Sequence, residues 1–235
     1  MSLIFKYRNK KIQSPEEKFG KTSYSQCGED MIVRHIFQAI GLSSPSFIDI
    51  GAHHPFYMNN TAVFSMAGSR GINIEPDPNL FKQFPLYRKN DVNLNIGISD
   101  KEDEQDFYII NTPTLNTFSK ETAEGYQYQG NYKITDVKKI KTDTVTNILE
   151  KYANGFFPDF LNLDTEGVDE LILNSIDFEN NNCPIVICIE TLSFSERGAG
   201  IKNKSIIQFL ESKGYLFYAD TNINSIFVLK SKWGK

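Results

Sequence analysis

The stretch SFIDIGAHHPFYMNNTAVF, residues 46–64, decides the fold because one turn in it joins two kinds of structure. Residues 47–50 (FIDI) form a short apolar run typical of a buried strand, and this run contains one acid, Asp49. Gly51 ends the run, two histidines and a proline follow, and residues 59–67 have a helical pattern. A buried strand that ends in an acid and a glycine before a helix indicates a ligand-binding turn in an α/β protein.

Outward from this stretch, short apolar runs alternate with helical patterns along most of the chain. The predicted strands are residues 46–51, 71–75, 92–98, 159–164, 184–191, 215–219 and 225–230, and the predicted helices are residues 29–40, 59–67, 77–84, 143–152, 167–175 and 203–213. Such alternation predicts a mostly parallel sheet with helices on both faces. Only DTNIN (220–224) separates the last two strands, which predicts a C-terminal antiparallel hairpin.

The length of the chain and its patterns predict one domain. At 235 residues, of which 40% are apolar, the chain can build a sizeable core. Residues 1–22 are polar and lack a period, so we predict an N-terminal arm followed by a single domain over residues 23–235. Residues 100–141 do not fit the alternation, and an insertion of this length is usually functional or disordered.

Composition limits the classes of partner that the protein can have and predicts its cellular compartment. The net charge is −4 without a block of Lys or Arg, which disfavours nucleic acid as a partner. The N-terminus lacks the apolar core of a signal peptide, and no apolar run is long enough for a membrane span. Three cysteines without metal-type spacing fit a reducing compartment, so we predict a cytoplasmic protein. Richness in Ile, Asn and Lys indicates a bacterial source, and the oligomeric state is left open, with a homodimer as one option.

Acids stand at the ends of five successive predicted strands, where a core needs none. They are Asp49, Glu75, Asp100, Asp164 and Glu190. In an open parallel sheet, ligands bind beyond the carboxyl ends of the strands, near the point where the strand order reverses. The five acids therefore predict one ligand site at that edge of the sheet.

The spacing between Gly51 and Glu75 points to a nucleoside. Glu75 lies 24 residues after Gly51, at the end of the next strand, from where an acid reaches the two hydroxyls of a ribose. An alternative is that Glu75 caps the helix that begins near Pro78. His53 and Pro55 stand where a dinucleotide fingerprint needs small residues, which disfavours pyrophosphate and with it an NAD-dependent oxidoreductase. A nucleoside with an amino-acid tail, such as S-adenosylmethionine, tolerates side chains there.

The set of motifs resembles the FkbM family of S-adenosylmethionine-dependent methyltransferases over about residues 24–230. The motifs are YSQCGED (24–30), FIDIGAHHP (47–55), NIEPDP (73–78), NIGISD (95–100), FLNLDTEGVDELIL (160–173) and CIETL (188–192). The resemblance implies a seven-stranded class I methyltransferase sheet, of Rossmann-like type, and O-methylation, often of a sugar or polyketide hydroxyl. It implies cofactor contacts from Gln26, Glu29, Asp30, Asp49, Gly51, Ala52, Glu75, Ser99 and Asp100.

Two mechanisms can handle the proton of the acceptor hydroxyl. In one, His53 or His54 is the general base, with an ordinary pKa near 6.5. In the other, Asp164 and Glu190 bind a divalent metal ion, with or without a histidine, and Asp164 is then catalytic. Each residue has a structural alternative. His54 can hydrogen-bond a rigid turn, and Glu190 can pair with Arg197. Glu166, a further acid two residues after Asp164, can be a first-turn helix acid.

The acceptor pocket is predicted from the insertion and from the loop SFSERGAGIKNK (193–204) after the fifth strand. Tyr126, Tyr128 and Tyr132 of the insertion are candidates for stacking on a sugar ring or for ordinary packing. The predicted acceptor is a sugar or a nucleotide-activated sugar for a surface polysaccharide. The alternative from another class is a non-catalytic module that binds a nucleoside or nucleotide-sugar.

Overall fold

The computed structural model describes residues 14–178, 182–195 and 200–234. Its strands are β1 (Phe47–Ile50), β2 (Gly71–Ile74), β3 (Val92–Leu94), β4 (Gly97–Ile98), β5 (Asp103–Ile110), β6 (Ile134–Asp143), β7 (Phe160–Leu163), β8 (Val186–Glu190), β9 (Tyr215–Asp220) and β10 (Asn224–Leu229). Its helices are α1 (Pro15–Phe19), α2 (Glu29–Ala39), α3 (Ala62–Met66), α4 (Pro78–Phe81), α5 (Phe84–Tyr87), α6 (Lys120–Tyr126), α7 (Val145–Tyr152), α8 (Asp169–Asn174) and α9 (Lys204–Ser212). A 3-10 helix spans Pro113–Leu115.

A seven-stranded sheet forms the centre of the fold. Its strand order is β3-β2-β1-β7-β8-β10-β9. Neighbours from β3 to β8 are parallel, whereas β10 runs antiparallel to both β8 and β9. The mostly parallel sheet and the C-terminal hairpin are therefore confirmed. The order reverses between β1 and β7, so the carboxyl ends of these two strands form the switch point where ligands bind in such sheets.

Alternate residues of the central strands belong to two separate buried clusters, as the period of two in a strand requires. Ile48 and Ile50 of β1 lie in a cluster with side chains of α7, α8 and α9. Phe47 of β1 and Phe160 of β7 lie in the other cluster, with side chains of α2 and α3. Both clusters consist of aliphatic and aromatic side chains that are almost completely removed from water, which is the main force that holds the sheet and helices together.

The prediction of one strand over residues 92–98 is wrong. Only Val92–Leu94 pair with β2, and Gly97–Ile98 pair with Thr142–Asp143 of β6 in a second sheet. Between them, the Asn95 side chain donates to the carbonyl oxygens of Glu75 (2.8 Å) and Pro76 (3.1 Å). The chain therefore leaves the main sheet at Asn95, because this side chain caps the end of β2.

The insertion at residues 100–141 is structured. Strands β5 and β6 pair in antiparallel fashion and form with β4 a three-stranded sheet in the order β4-β6-β5. The 3-10 helix and α6 lie between β5 and β6. Leu115, Ala123 and Tyr126 pack with Ile110 in a third buried cluster, so the insertion has a small core of its own.

Two predicted helices differ from the structure for local reasons. The helix predicted at 77–84 is split into α4 and α5, and Pro85, which has no N–H to donate, lies in the first turn of α5. The helix predicted from residue 59 begins at Ala62, because the side chains of Asn59 and Asn60 make hydrogen bonds of their own. Helix α1 lies inside the predicted arm, and residues 1–13 of that arm lie outside the described residues.

Candidate active site

A cavity of about 370 Å³ opens at the carboxyl ends of the parallel strands. It is lined by the segments after β1, β2, β7 and β8, by residues 96–98, by Gln26 and by the β9–β10 turn at residues 222–224. From the insertion, Phe107, residues 113–116 and Phe118 also line it. A concave site of this size at a switch point is where a small-molecule ligand is expected.

Gly51 brings the ends of three strands together. Its φ of +81° is in the left-handed region, and the Cβ atom of any other residue would lie 1.7 Å from the carbonyl oxygen of Asp164. The N–H groups of Gly51 and Ala52 both donate to the carbonyl oxygen of Ile74 at 3.0 Å. The turn after β1 is thus fixed between β2 and β7, which explains why the sequence has glycine there.

Asp49 is completely buried at the floor of the cavity. One of its carboxylate oxygens accepts from Asn162 Nδ2 (2.8 Å), and the other accepts from Thr61 Oγ1 (2.8 Å) and Asn59 Nδ2 (3.1 Å). Burial raises the pKa of Asp49, while these donors oppose the rise. Arg88, itself buried, donates to Thr61 Oγ1 at 3.0 Å and supports the same network.

Glu75 is 4% exposed and lines the cavity at the end of β2. Its Oε2 accepts from the backbone N–H of His53 and its Oε1 from that of Asp77, both at 2.7 Å. Burial raises the pKa of Glu75 to about 8 despite these two donors. The cap of α4 is Asp77, whose side chain accepts from the N–H of Asn79, so Glu75 is not the helix cap.

Asp164, Glu166 and Glu190 come together at the ends of β7 and β8. One carboxylate oxygen from each lies within 4.8 Å of the others, and we call this set the carboxylate trio. Burial, together with the charges of other acids, raises the pKa of Asp164 to about 7 and that of Glu190 to about 11, and it raises the pKa of Glu166 as well. Three carboxylates this close repel one another, so the trio retains protons at neutral pH unless a cation lies between them.

Glu166 reaches the trio because of an unusual backbone. Its φ of +54° is in the left-handed region, and helix α8 begins only at Asp169, so Glu166 is not a first-turn helix acid. Tyr126 of the insertion donates its hydroxyl to Glu166 Oε2 at 2.8 Å, and Thr117 Oγ1 donates to the Glu166 carbonyl oxygen at 2.6 Å. The insertion therefore holds this acid toward the cavity.

The two histidines differ in position. His53 lines the cavity, and burial and then the neighbouring His54 lower the pKa of its imidazole, which favours the neutral form at neutral pH. His54 does not line the cavity; its Nδ1 accepts from the N–H groups of Phe56 (3.1 Å) and Tyr57 (2.9 Å). Its Nε2 bonds the Gln83 side chain at 2.9 Å. These bonds favour the rigid-turn role for His54 and leave His53 as the histidine at the cavity.

Four of the predicted cofactor residues lie away from the cavity lining. The Glu29 side chain accepts from the Cys27 N–H and the Thr221 hydroxyl, and Asp30 accepts from Ser23, Tyr24 and Ser25. These two acids fix the chain before α2. Ser99 and Asp100 bond each other at 3.1 Å just beyond β4, which turns into the second sheet and so moves them from the end of the main sheet. Gln26, Asp49, Gly51, Ala52 and Glu75 do line the cavity.

The insertion and the loop after β8 meet at the same cavity. Leu192–Ser195 line it, and the Phe194 ring packs against Tyr126 (4.8 Å between centroids) and Tyr132 (5.3 Å). Tyr126 is 2% exposed and Tyr128 is 90% exposed, and neither lines the cavity. Arg197, the suggested partner of Glu190, lies outside the described residues.

Sequence reasoning missed several lining residues. They are Met58, Asn59, Asn60, Phe107, Phe118, Asn162, Asn222 and Asn224. Asn162 carried a usable signal, since it is a polar residue inside the apolar strand FLNL beside the terminal acid. Phe107, Phe118 and the hairpin asparagines carried none, because only the tertiary fold brings them to the strand ends.

The fold and the cavity define a Rossmann-like α/β protein with a small-molecule cavity at the switch point. Residues 49–217 match the model of the Methyltransferase FkbM domain, so the chain belongs to this methyltransferase family, which uses S-adenosylmethionine as methyl donor. Comparison with curated protein sequences gave no significant match. Among the described residues, no helix is long and apolar enough to cross a membrane.

Proposed function

We propose that this protein is an S-adenosylmethionine-dependent O-methyltransferase that acts on a hydroxyl group of a small molecule, a sugar or nucleotide-activated sugar for a surface polysaccharide. The observation that carries the proposal is that one cavity contains both Glu75, at the ribose position, and the carboxylate trio. The first group recognises a nucleoside, and the second can take up a proton. A methyltransferase that acts on a hydroxyl needs both.

The residues at the ends of β1 and β2 fit S-adenosylmethionine. Glu75 would bind the ribose hydroxyls, and Asp49, Gly51, Ala52 and Gln26 would surround the amino-acid end. The observation that supports this fit is that these five residues line one cavity at the carboxyl ends of the parallel strands, beside the switch point. When bound, S-adenosylmethionine supplies a methyl group on a sulfonium, which a nearby nucleophile can accept.

The carboxylate trio is the best-placed general base. A base works best when its pKa is near the operating pH, and the pKa of Asp164 is raised to about 7. His53, neutral and at the cavity, is the second candidate base. Holding the acceptor oxygen near the methyl carbon supplies much of the acceleration, since well-oriented reactants have effective molarities of about 10⁵–10⁸ M.

A divalent cation is the alternative role for the trio. Three carboxylate oxygens within 4.8 Å of one another are the hard ligands that Mg²⁺ and Ca²⁺ prefer. The two mechanisms predict opposite responses to a chelator. Turnover that persists in EDTA but is abolished by Asp164→Asn supports the base, whereas loss in EDTA with recovery on adding Mg²⁺ supports the cation.

Several broader features belong to the same proposal. We infer a single methyltransferase domain over residues 23–235 with helices on both faces of the sheet, which the two buried clusters support. Three free cysteines fit a reducing, cytoplasmic location.

The test has two stages. Calorimetry with S-adenosylmethionine, S-adenosylhomocysteine and NAD first identifies the cofactor, and binding of NAD alone would overturn the proposal. A methyl-transfer screen then offers methyl glycosides and nucleotide-activated sugars and detects a gain of one methyl group by mass spectrometry. Cofactor binding without transfer to any acceptor would favour the alternative, a nucleoside-binding module without catalysis.

A further inference from the structure

The direction in which a bound nucleoside extends follows from the strand order. Glu75 ends β2, which lies between β1 and β3 in the sheet. Asp49 and Gly51, proposed for the amino-acid end of the cofactor, stand on the β1 side of Glu75. If Glu75 binds the ribose and the amino-acid end lies toward β1, the base attached to the ribose extends in the opposite direction, over the end of β3.

That side of the cavity is apolar, in contrast to the acidic side at β7 and β8. Leu80, Ile96 and Ile98 line it together with two aromatic rings of the insertion, Phe107 and Phe118. The two rings lie 4.7 Å apart between centroids. Phe107 is 2% exposed, whereas Phe118 is only partly buried and lines the open space. An apolar slot with one partly open aromatic ring suits a flat aromatic ligand.

The Phe118 ring lies directly against the backbone of Gly97. A Cβ atom at Gly97 would lie 2.3 Å from Cζ of the Phe118 ring, so only glycine leaves room for the ring in this position. The left-handed region is not involved here, because Gly97 has no positive φ. The glycine is therefore explained by the approach of the aromatic side chain.

Residues 113–118 are fastened on both sides of the cavity. Asn116 donates to the Asp77 side chain at 3.0 Å, beside the ribose position. Thr117 donates to the Glu166 carbonyl oxygen at 2.6 Å, beside the carboxylate trio. Asn116 also accepts from the N–H of Ile110 at 2.8 Å. Phe118 thus follows a segment that hydrogen bonds fix in place beside the cavity.

We propose that Phe118 is a cofactor-binding residue, whose ring packs against the adenine base of the cofactor over the end of β3. The insertion then belongs to the cofactor half of the cavity as well as to the acceptor half. This inference rests on the proposed function. It adds a binding residue that lies outside the strand-end motifs of the sequence.

The test is calorimetry with two probes, S-adenosylhomocysteine and adenosine, on the full chain. Stacking of a base on an aromatic side chain is worth about 1–3 kcal/mol by alanine substitution, so Phe118→Ala is expected to weaken the binding of both ligands by about 5- to 150-fold. Phe118→Leu, which keeps an apolar contact, is expected to show a smaller loss. Tyr128→Ala removes an exposed ring of the same insertion and is the matched control, with both affinities unchanged.

The outcomes separate this inference from the proposed function. Unchanged affinity for S-adenosylhomocysteine in a folded Phe118→Ala protein would overturn the inference and leave the function standing. A lower affinity for S-adenosylhomocysteine with an unchanged affinity for adenosine would place the Phe118 ring at the amino-acid end of the cofactor. That result would also overturn the inference. A wild-type protein that binds neither probe would contradict the proposed function itself. Thermal unfolding of each variant shows whether it is folded, and Phe118→Leu serves if the alanine variant is not.

Discussion

Glu75 illustrates how single side chains are prepared for a ligand in this protein. The side chain is almost completely buried, and each carboxylate oxygen already accepts one backbone N–H. Each oxygen of the ionised carboxylate has a further lone pair that can accept from a hydroxyl, and such hydrogen bonds would favour the ionised form over the protonated form that burial favours. Because the two N–H donors fix the orientation of the carboxylate, the proposed binding of a ribose would cost little side-chain conformational entropy.

Replacing Glu75 by alanine is expected to weaken binding of S-adenosylhomocysteine by about 1–3 kcal/mol, since two buried hydroxyls would lose their acceptor. Calorimetry measures the change. Asp100→Asn is the control, because Asp100 does not line the cavity and should leave affinity unchanged. Unchanged affinity in Glu75→Ala would remove Glu75 from the role, and an equal loss in both variants would show that the effect is not specific to the ribose position.

Substitutions of the two histidines are expected to lower stability by different amounts. His54→Ala removes the acceptor of the Phe56 and Tyr57 N–H groups and is expected to lower the free energy of unfolding by about 0.5–1.5 kcal/mol, since water can reach part of this turn. His53→Asn, which tolerates the backbone φ of +53°, is expected to cost less. Urea unfolding compares the two, and a larger loss at His53 would contradict the structural role assigned to His54.

At the residue level, the sequence predicted what depends on strand ends and missed what depends on long-range contact. Asp49, Gly51, Glu75, Asp164 and Glu190 lie at the cavity as expected, because parallel strands bring their carboxyl ends to one edge. Ser99 and Asp100 do not line the cavity, because the strand predicted over residues 92–98 ends early at Asn95, whose hydrogen bonds to Glu75 and Pro76 are tertiary contacts.

The turn between β1 and α3 is the element on which the site depends. The turn lies against the backbone of Asp164 at the end of β7. Gly51 makes this close approach possible, because a side chain there would overlap the Asp164 carbonyl oxygen. The sequence predicted the glycine turn from the break in the apolar run. It did not show which backbone the turn approaches, because β7 lies more than 100 residues further along the chain.

Gly51→Ala is therefore expected to be far more disruptive than a change of backbone preference alone. Gly41→Ala is the matched control, since Gly41 also has a positive φ (+77°) but no atom within 4 Å of an added Cβ. The control should cost about 1–2 kcal/mol, the ordinary penalty of left-handed backbone. Gly51→Ala should lose several kcal/mol more or fail to fold, as measured by urea unfolding. Similar losses at the two glycines would show that the contact with Asp164 does not limit the turn.

At the scale of the whole molecule, charge is distributed unevenly around the sheet. The carboxyl edge of the parallel strands carries Asp49, Glu75 and the carboxylate trio, and all five line one cavity. Concentrating acids in a low-dielectric site costs folding free energy, because desolvation and like charges both disfavour ionisation. Natural proteins retain such groups at functional sites, where perturbed pKa values are used in chemistry.

This arrangement gives the whole protein a pH-dependent stability of predictable sign. The pKa values of Glu75 and Asp164 are raised to about 8 and about 7, above their ordinary values of 4.5 and 3.8. Between pH 5 and 8 the folded protein therefore keeps protons that the unfolded chain has released. Since the state that binds more protons is favoured at lower pH, stability is expected to fall as pH rises through this window. Each fully titrating group contributes about 1.4 kcal/mol per pH unit.

Glu190→Gln tests whether the carboxylate trio is responsible. The pKa of Glu190 is raised to about 11 by burial and by Asp164 and Glu166, so a neutral amide removes a cost that grows with pH. We expect the free energy of unfolding at pH 8 to increase by at least about 1 kcal/mol and its slope against pH to become smaller. Glu211→Gln, at an exposed acid on α9, is the control and should change neither. Urea midpoints that rise from pH 5 to 8, or a Glu190→Gln protein with the wild-type slope, would show that the trio does not hold protons in the folded protein. In that case, either a bound cation neutralises the three carboxylates or solvent screens them.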